Sequence, residues 1–401
     1  ALRYWKFSNP LVMQSNYKRL GDYIRQVDVR NRDLAVDNLV GLTIEKAFIP
    51  SVANTIGTDL SNYKVISNGQ FACSLMQVSR DGKMPIAMFK GEKGIMSPAY
   101  PMFEVCRKDE LLPEFLMMWF SRKEFDREVT FWAVGGVRGS LTWEDFENLN
   151  IPVPSIEKQR KIVTEYQAVE QRIENNRRLI ATLESTAQTI YRQMFVDNID
   201  LENLPQGWRM GTIGEFCSKL ASGATPSGGK ESYKKYGVAL IRSMNVHDLR
   251  FVHDELAKID DAQADKLKNV IVDENDILFN ITGVSVARCC KVPYRILPAR
   301  VNQHVMIIRP KYEYTSEFLL LTLLTNENKA ALLGISDGGS TREAITKKDI
   351  DKFPILIPHF DILHEFHSKV ESLFCYKEQI EQENQLFENV LSLLLTKLSK
   401  L

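Results

Sequence analysis

The sequence predicts an α+β protein: two α/β globular domains separated by two long antiparallel coiled-coil helices, with pseudo-two-fold symmetry. Three observations predict this. Residues 135–166 recur in outline at 338–370, a heptad pattern follows each copy, and short β-rich runs with Gly-rich loops precede each copy. The chain divides accordingly into an N-terminal extension (1–16), a first globule (17–154), a central long helix (155–200), a second globule (201–358) and a C-terminal long helix (359–401).

The first copy of the repeat reads Gly135-Gly136-Val137-Arg138-Gly139-Ser140-Leu141-Thr142, then Asp145-Phe146, then Ile151-Pro152-Val153-Pro154. The second reads Gly338-Gly339-Ser340-Thr341-Arg342-Glu343-Ala344-Ile345-Thr346, then Asp349-Ile350, then Ile355-Leu356-Ile357-Pro358. From Thr142 and Thr346 onward the offset is a constant 204 residues. That period is too long for a solenoid, so one module is used twice.

Within the globules, Val238–Ile241, Ile277–Ile281 and Val305–Ile308 read as strands, and 113–120 and 316–324 as short helices. After each copy, apolar residues fall at alternating steps of four and three. Ile162, Tyr166, Val169, Ile173, Asn176, Ile180, Leu183, Ala187, Ile190 and Met194 form the first seam. Phe366, Val370, Leu373, Lys377, Ile380, Asn384, Phe387, Leu391, Leu394 and Leu398 form the second. A sustained 3.5-residue period without Gly or Pro is a coiled-coil signature. Each seam spans about 50 Å at ~1.5 Å per residue. The order globule, helix, globule, helix makes the second helix run back along the first. Flush antiparallel heptads would set Asn176 opposite Asn384 as a register pair, Ile180 opposite Ile380, and Lys377 opposite Leu183 with its ammonium at the seam's edge.

The chain has 401 residues, 51 basic and 51 acidic, and net charge zero. The charge is unevenly spread. Residues 1–100 carry 13 Lys/Arg against 8 Asp/Glu, and residues 277–312 hold Arg288, Lys291, Arg295, Arg300, Arg309 and Lys311 with no acid. Local basic surfaces of this kind suit a polyanion held in grooves. No apolar run approaches ~18 residues, so neither a membrane span nor a secretory signal is expected. The six scattered cysteines include no C-x-x-C pair, which suits a reducing cytoplasm and argues against a zinc site.

Searches for catalytic motifs return nothing. Ser222–Glu231 resembles a phosphate-binding loop, but has one residue too many before Lys230, and Glu231 replaces the Ser/Thr. There is no dinucleotide fingerprint, no amino-methyltransferase tetrapeptide, no nuclease carboxylate–lysine cluster and no metal-ligand spacing among the histidines. The globules do carry polar loop residues of the kind that read base edges, since Arg pairs bidentately with guanine and Asn or Gln with adenine. In the second globule these are Thr225, Arg242, Asn245, Asn280, Thr282, Arg288, Asn302, Gln303, His304 and Arg342. In the first they are Arg80, Lys83, Ser97, Tyr100 and Arg138.

The G-G-x-R…D-F…I-P-x-P box at 135–154, its second copy at 338–358, the helix after each, and the S-G-x-T-P-S element at 222–227 together resemble the DNA-specificity subunit of type I restriction–modification enzymes. The resemblance covers nearly the whole chain. It implies two target-recognition domains, each reading half of a split double-stranded DNA target. The helices then act as spacer and docking surface for two methyltransferase (modification) subunits, with restriction/translocase subunits beyond. It also implies that this chain is non-catalytic, holds no cofactor and works in the cytoplasm, with S-adenosylmethionine, ATP and Mg bound by the partners. There are departures. Glu157-Lys158-Gln159 and Asp361-Ile362-Leu363 stand where the family often has Glu-Gln. The first globule lacks the S-G-x-T-P-S opening, which implies two recognition subtypes. The rival readings are a stand-alone nucleic-acid methyltransferase, favoured by S-adenosylmethionine binding to the isolated chain, and a coiled-coil adaptor, favoured by absence of affinity for any duplex.

The heptads generate a length prediction. Deleting one heptad from both helices removes about 10 Å of each, and should shorten the preferred gap between half-sites by about three base pairs. Methylation of targets with graded gaps measures this. An unchanged gap in a folded, active complex would sink the ruler.

Overall fold

The computed structural model describes residues 16–51, 57–135, 141–226, 228–337 and 344–401. The chain forms two compact units, residues 1–175 with 384–401 and residues 176–383. No helix among the described residues is long and apolar enough to cross a membrane.

The first unit opens with β1 (Tyr17–Arg19), β2 (Ile24–Gln26) and a hairpin of β3 (Val40–Leu42) and β4 (Phe48–Pro50). β5 (Lys64–Ser67) and β6 (Phe71–Cys73) follow, and the short helix α1 (Val78–Asp81) separates β6 from β7 (Ile86–Met88). β8 (Lys93–Met96) and β9 (Met102–Val105) precede the helices α2 (Pro113–Phe120), α3 (Lys123–Gly135) and α4 (Trp143–Glu147). β10 (Asn150–Pro152) then leads into the long helix α5 (Ile156–Phe195). The main sheet has the order β2-β9-β6-β7, antiparallel throughout. Phe71 and Phe103 stack across β6 and β9 at 5.0 Å, and Phe120 and Phe146 pack edge-on or tilted against them. The same core holds both Val163 of α5 and Leu398, as an antiparallel pairing requires.

The repeated box is a closure device. Thr142 caps α4: its Oγ1 accepts from Asp145 N at 3.0 Å, while Asp145 Oδ2 accepts from Thr142 N at 3.1 Å. This reciprocal arrangement satisfies donors that a helix start leaves orphaned. One turn later Phe146 is fully buried. The Ile-Pro pair then forms β10, which runs antiparallel to β1 with Tyr17 opposite Pro152 and Lys18 opposite Ile151. The last strand of the globule thereby pairs with its first, just before α5 begins.

The second unit repeats the plan. It comprises β11 (Arg209–Thr212), α6 (Ile213–Phe216), β12 (Cys217–Ser222), β13 (Val238–Ile241) and the hairpin β14 (Val246–His247) and β15 (Arg250–Phe251). Then come β16 (Ala257–Ile259), α7 (Asp261–Lys266), β17 (Ile271–Val272), β18 (Ile277–Asn280), β19 (Cys289–Lys291), β20 (Ala299–Val301) and β21 (Val305–Pro310). The helices α8 (Ser316–Leu324), α9 (Asn326–Asp337) and α10 (Lys347–Lys352), the strand β22 (Pro354–Ile357) and the helix α11 (Phe360–Leu398) complete it. Its first sheet, β12-β21-β18-β19, has the same order and antiparallel sense as β2-β9-β6-β7. A second sheet, β16-β13-β20-β17, lies behind. The box recurs with Thr346 and Asp349 as the capping pair, Ile350 buried, and β22 antiparallel to β11.

Within this unit the helices run antiparallel. Phe366 touches Tyr191 and Phe195, Lys377 pairs with Glu184 at 3.5 Å, and Asn176 donates to Glu383 Oε2 at 2.6 Å, so partner numbers fall along α11 as they rise along α5. Asn176 and Asn384 are both buried, and the Asn176 carboxamide donates to Glu383, the chain neighbour of Asn384. One expectation is revised. Lys377 does not reach the edge of the seam. It is buried, because Glu184 and Glu381 neutralise its ammonium and the Leu249 carbonyl accepts from it.

Removing a cap hydroxyl typically costs about 1 kcal/mol, so Thr142→Ala and Thr346→Ala should each destabilise the chain by that order in denaturant titrations. The Thr346 hydroxyl and backbone hold the Asp349 carboxyl below its usual range. Its contribution is therefore present above the unfolded carboxylate pKa and lost as pH falls through the lower folded value. The Thr346→Ala deficit should shrink correspondingly in acid.

Candidate nucleic-acid interface

Matching sheet orders place corresponding loops at corresponding strand ends. The β18–β19 loop (281–288) answers the β6–β7 loop (74–85), and the β20–β21 turn (302–304) answers the β8–β9 turn (97–101). Arg80 and Lys83 lie in the first of these in unit one, and Ser97 and Tyr100 in the second. Thr282 and Arg288, then Asn302, Gln303 and His304, occupy the equivalent places in unit two.

In the second unit a polar string ties three loops together. Thr225 Oγ1 donates to Gln303 Oε1 at 2.5 Å, Gln303 Nε2 lies 2.9 Å from His304 Nε2, and His304 Nδ1 lies 2.6 Å from Thr282 Oγ1. The loop carrying Thr225 owes its path to Gly223: a Cβ there would meet the Val301 carbonyl oxygen at 1.7 Å, and Gly223 N donates to Asn302 O. This is the physical content of S-G-x-T-P-S. The box reaches the same place, since Ile345 N donates to Ile281 O and Ala344 bridges to Thr282.

Several sequence candidates are spent on building these loops. Asn245 is fully buried, with Oδ1 accepting from Arg242 N and Nδ2 donating to the carbonyls of Val252 and Asp254. Asn280 is equally buried and donates to the carbonyls of Ser243 and Val246. Neither carboxamide is available to a base edge. Asn302 is nearly buried, and its Oδ1 accepts from His304 N, forming the turn that presents Gln303. Arg242 reaches the Glu255 carbonyl and lies over Tyr233. Arg80 is locked bidentately on Asp81 at 2.7–2.8 Å. Ser97 accepts from Ala99 N within its turn, and the half-buried Tyr100 packs on the core around Phe89. Thr225, Gln303 and Lys83 remain exposed, and Thr282, Arg288 and His304 are half-exposed. Arg138 and Arg342 lie outside the described residues.

The basic stretch 277–312 also changes meaning. Lys291 pairs with buried Glu317 at 2.5 Å, Arg309 with Asp273 and Asp276, and buried Arg300 donates to the carbonyls of Ala264 and Ala299. These cations hold elements together. The acids that neutralise them come from outside the stretch, so a local count could not see them. Sequence reasoning also passed over Lys235 and Tyr236, an exposed cation–aromatic pair at 5.4 Å whose signal was the run Tyr233-Lys234-Lys235-Tyr236.

No group of three or more His, Cys, Asp or Glu that could hold a metal is found among the described residues. Burial pushes the thiols of Cys217 and Cys290 up to about 12, and those of Cys73 and Cys289 upward as well. None of these four is a thiolate near neutral pH.

Gly223→Ala should displace the Thr225 loop and break the string, at a cost of about 1–3 kcal/mol for an overpacked backbone contact. Thermal unfolding measures the loss. An unchanged melting temperature would mean that the loop is not held against Val301.

A family model described as the type I restriction modification DNA specificity domain matches residues 80–185 and 205–388. The type I restriction enzyme MjaIX specificity subunit of Methanocaldococcus jannaschii is 24% identical over 346 residues, covering 79% of this chain and 78% of the relative. The HindI specificity subunit of Haemophilus influenzae is 20% identical over 357 residues, covering 72% and 77%. Among solved structures, the type I restriction-modification system S subunit from M. genitalium shares the fold over 95% of both chains, with a TM-score of 0.57 at 15% identity. With well over half of its residues matched by the family model, the chain belongs to the type I restriction modification DNA specificity family, as a specificity subunit.

Proposed function

We propose that each globule of this specificity subunit reads its own half of a split DNA target through the loops at one end of its main sheet. In the second globule Gln303, Arg288, Thr282 and Thr225 make the contacts, and in the first Lys83 belongs to the equivalent loop. The observation that carries this is the shared strand order. Two units of one topology bring the same two loops to the same strand ends, yet fill them with different side chains. Gln303 offers a donor and an acceptor at the end of a pre-ordered turn, the arrangement that pairs with adenine, and Arg288 suits guanine.

Catalysis then belongs to other chains. Two methyltransferase subunits would dock on the helices and supply the S-adenosylmethionine site. Restriction/translocase subunits would bind ATP and Mg, and the assembly would work in the cytoplasm.

Gln303→Ala or Arg288→Ala should relax specificity at the second half-site alone, by about 1–3 kcal/mol per lost bidentate contact. Methylation of targets carrying single substitutions in each half-site tests it. Equal losses at both halves would overturn independent reading.

A further inference from the structure

Among the described large hydrophobic side chains, Val284 is the most exposed, at 96%. Met76, at 70%, heads the first unit together with Phe131. A single exposed aliphatic residue is ordinary on a protein surface. The coincidence is what matters: Val284 lies in the β18–β19 loop and Met76 in the β6–β7 loop, the same connection of the same sheet order. Two globules with different loop sequences both put an unpacked apolar side chain in this place.

The loop under Val284 is ordered without any help from Val284. Asn280 N donates to Arg288 O and Ala287 N to Asn280 O, which closes its base. Val286 N donates to Gly283 O and Arg288 N to Ser285 O, which fixes its turn. Gly283 takes a left-handed φ of 70° with open space beyond its Cα, so Val284 stands at a tip with nothing packed around it. Thr282, two residues earlier, is anchored to His304 and through it to Gln303 and Thr225. The tip and the polar string therefore share one face of the second unit.

A hydroxyl, a carboxamide and a guanidinium account for donors and acceptors on base edges. They leave unread the one apolar feature of the major groove, the 5-methyl group of thymine, which is matched by an apolar side chain. We propose that Val284 is a specificity-determining residue that contacts a thymine 5-methyl group in the second half-site, with Met76 as its topological counterpart in the first unit. This rests on the reading of the second globule as the reader of one half-site.

The test uses the full chain in its assembled methyltransferase complex, with the target first defined by sequencing the DNA it methylates. Each thymine of the second half-site is replaced in turn by deoxyuridine, which keeps every hydrogen-bonding group and lacks only the methyl. For the unaltered complex one replacement should weaken binding about fourfold, the worth of one methyl group removed from water. In V284A, whose exposed side chain is not needed for folding, that same replacement should have no effect. The inference is overturned if the second half-site contains no thymine, if no replacement weakens binding, or if V284A keeps the same thymine-to-uracil ratio. A V284A loss that is equal for both bases also overturns it and assigns Val284 to the sugar–phosphate backbone or to a partner protein. Q303A separates this failure from failure of the underlying reading: specificity relaxed only at the second half-site upholds that reading whatever Val284 does, and equal relaxation at both removes it.

Discussion

Each globule is an excursion from a helical framework, and its two ends have to meet. The antiparallel pairs β1–β10 and β11–β22 meet that constraint, with the Thr142–Asp145 and Thr346–Asp349 caps turning the chain into the closing strand. Everything between the paired ends can vary in length and composition as long as closure holds. In the second unit the same box does more. Its residues Ala344 and Ile345, just ahead of the cap, pair with Thr282 and Ile281, so the segment that shuts the globule also braces the loop proposed to read DNA. A box of this kind is constrained by backbone geometry, which is why it repeats while the loops around it do not.

The constraint also shows where the copies differ without losing their shape. Gln159, fully buried at the start of α5, accepts from Leu112 N and donates to the carbonyls of Glu110 and Pro154. The position 204 residues on is Leu363, buried in the apolar core of the second unit. One copy fastens its globule to the helix with a carboxamide that satisfies three backbone groups, the other with apolar contact alone. A buried carboxamide needs all its partners, because an unmet buried polar group costs about 1–3 kcal/mol. The two solutions are therefore not exchangeable one residue at a time.

The sequence was most legible where periodicity or exact spacing carries the signal. The 204-residue offset announced the two boxes, and the 3.5-residue period announced helices that the structure places at Ile156–Phe195 and Phe360–Leu398. The candidate site was legible only as a set of loops. An asparagine that caps a turn and one that reads a base are the same residue in the same kind of segment. Asn245 and Asn280 could be told from Gln303 only by burial. Charge was misleading for a related reason: the partners of Arg309 and Lys291, Asp276 and Glu317, are brought close by the β18–β21 ladder and by α8. Val284 carried no signal at all, since a valine after a glycine marks a loop and nothing more.

These distinctions divide the polar residues of the second globule into two populations with opposite requirements. Asn245, Asn280, Arg300 and Arg309 are buried or paired, and their side-chain N–H groups donate inside the protein. Removing any of them strands a partner in a low-dielectric interior, so their loss is felt as instability. Thr225, Gln303 and His304 are bonded to one another at the surface, in a string that holds their orientations while leaving them open to solvent. Pre-ordering of this kind lowers the side-chain entropy that would otherwise be lost on binding. A recognition surface can then change its sequence preference by exchanging members of the second population, because none of them carries the fold. The first population and the closing strands stay fixed, and they fix where the exchangeable residues stand.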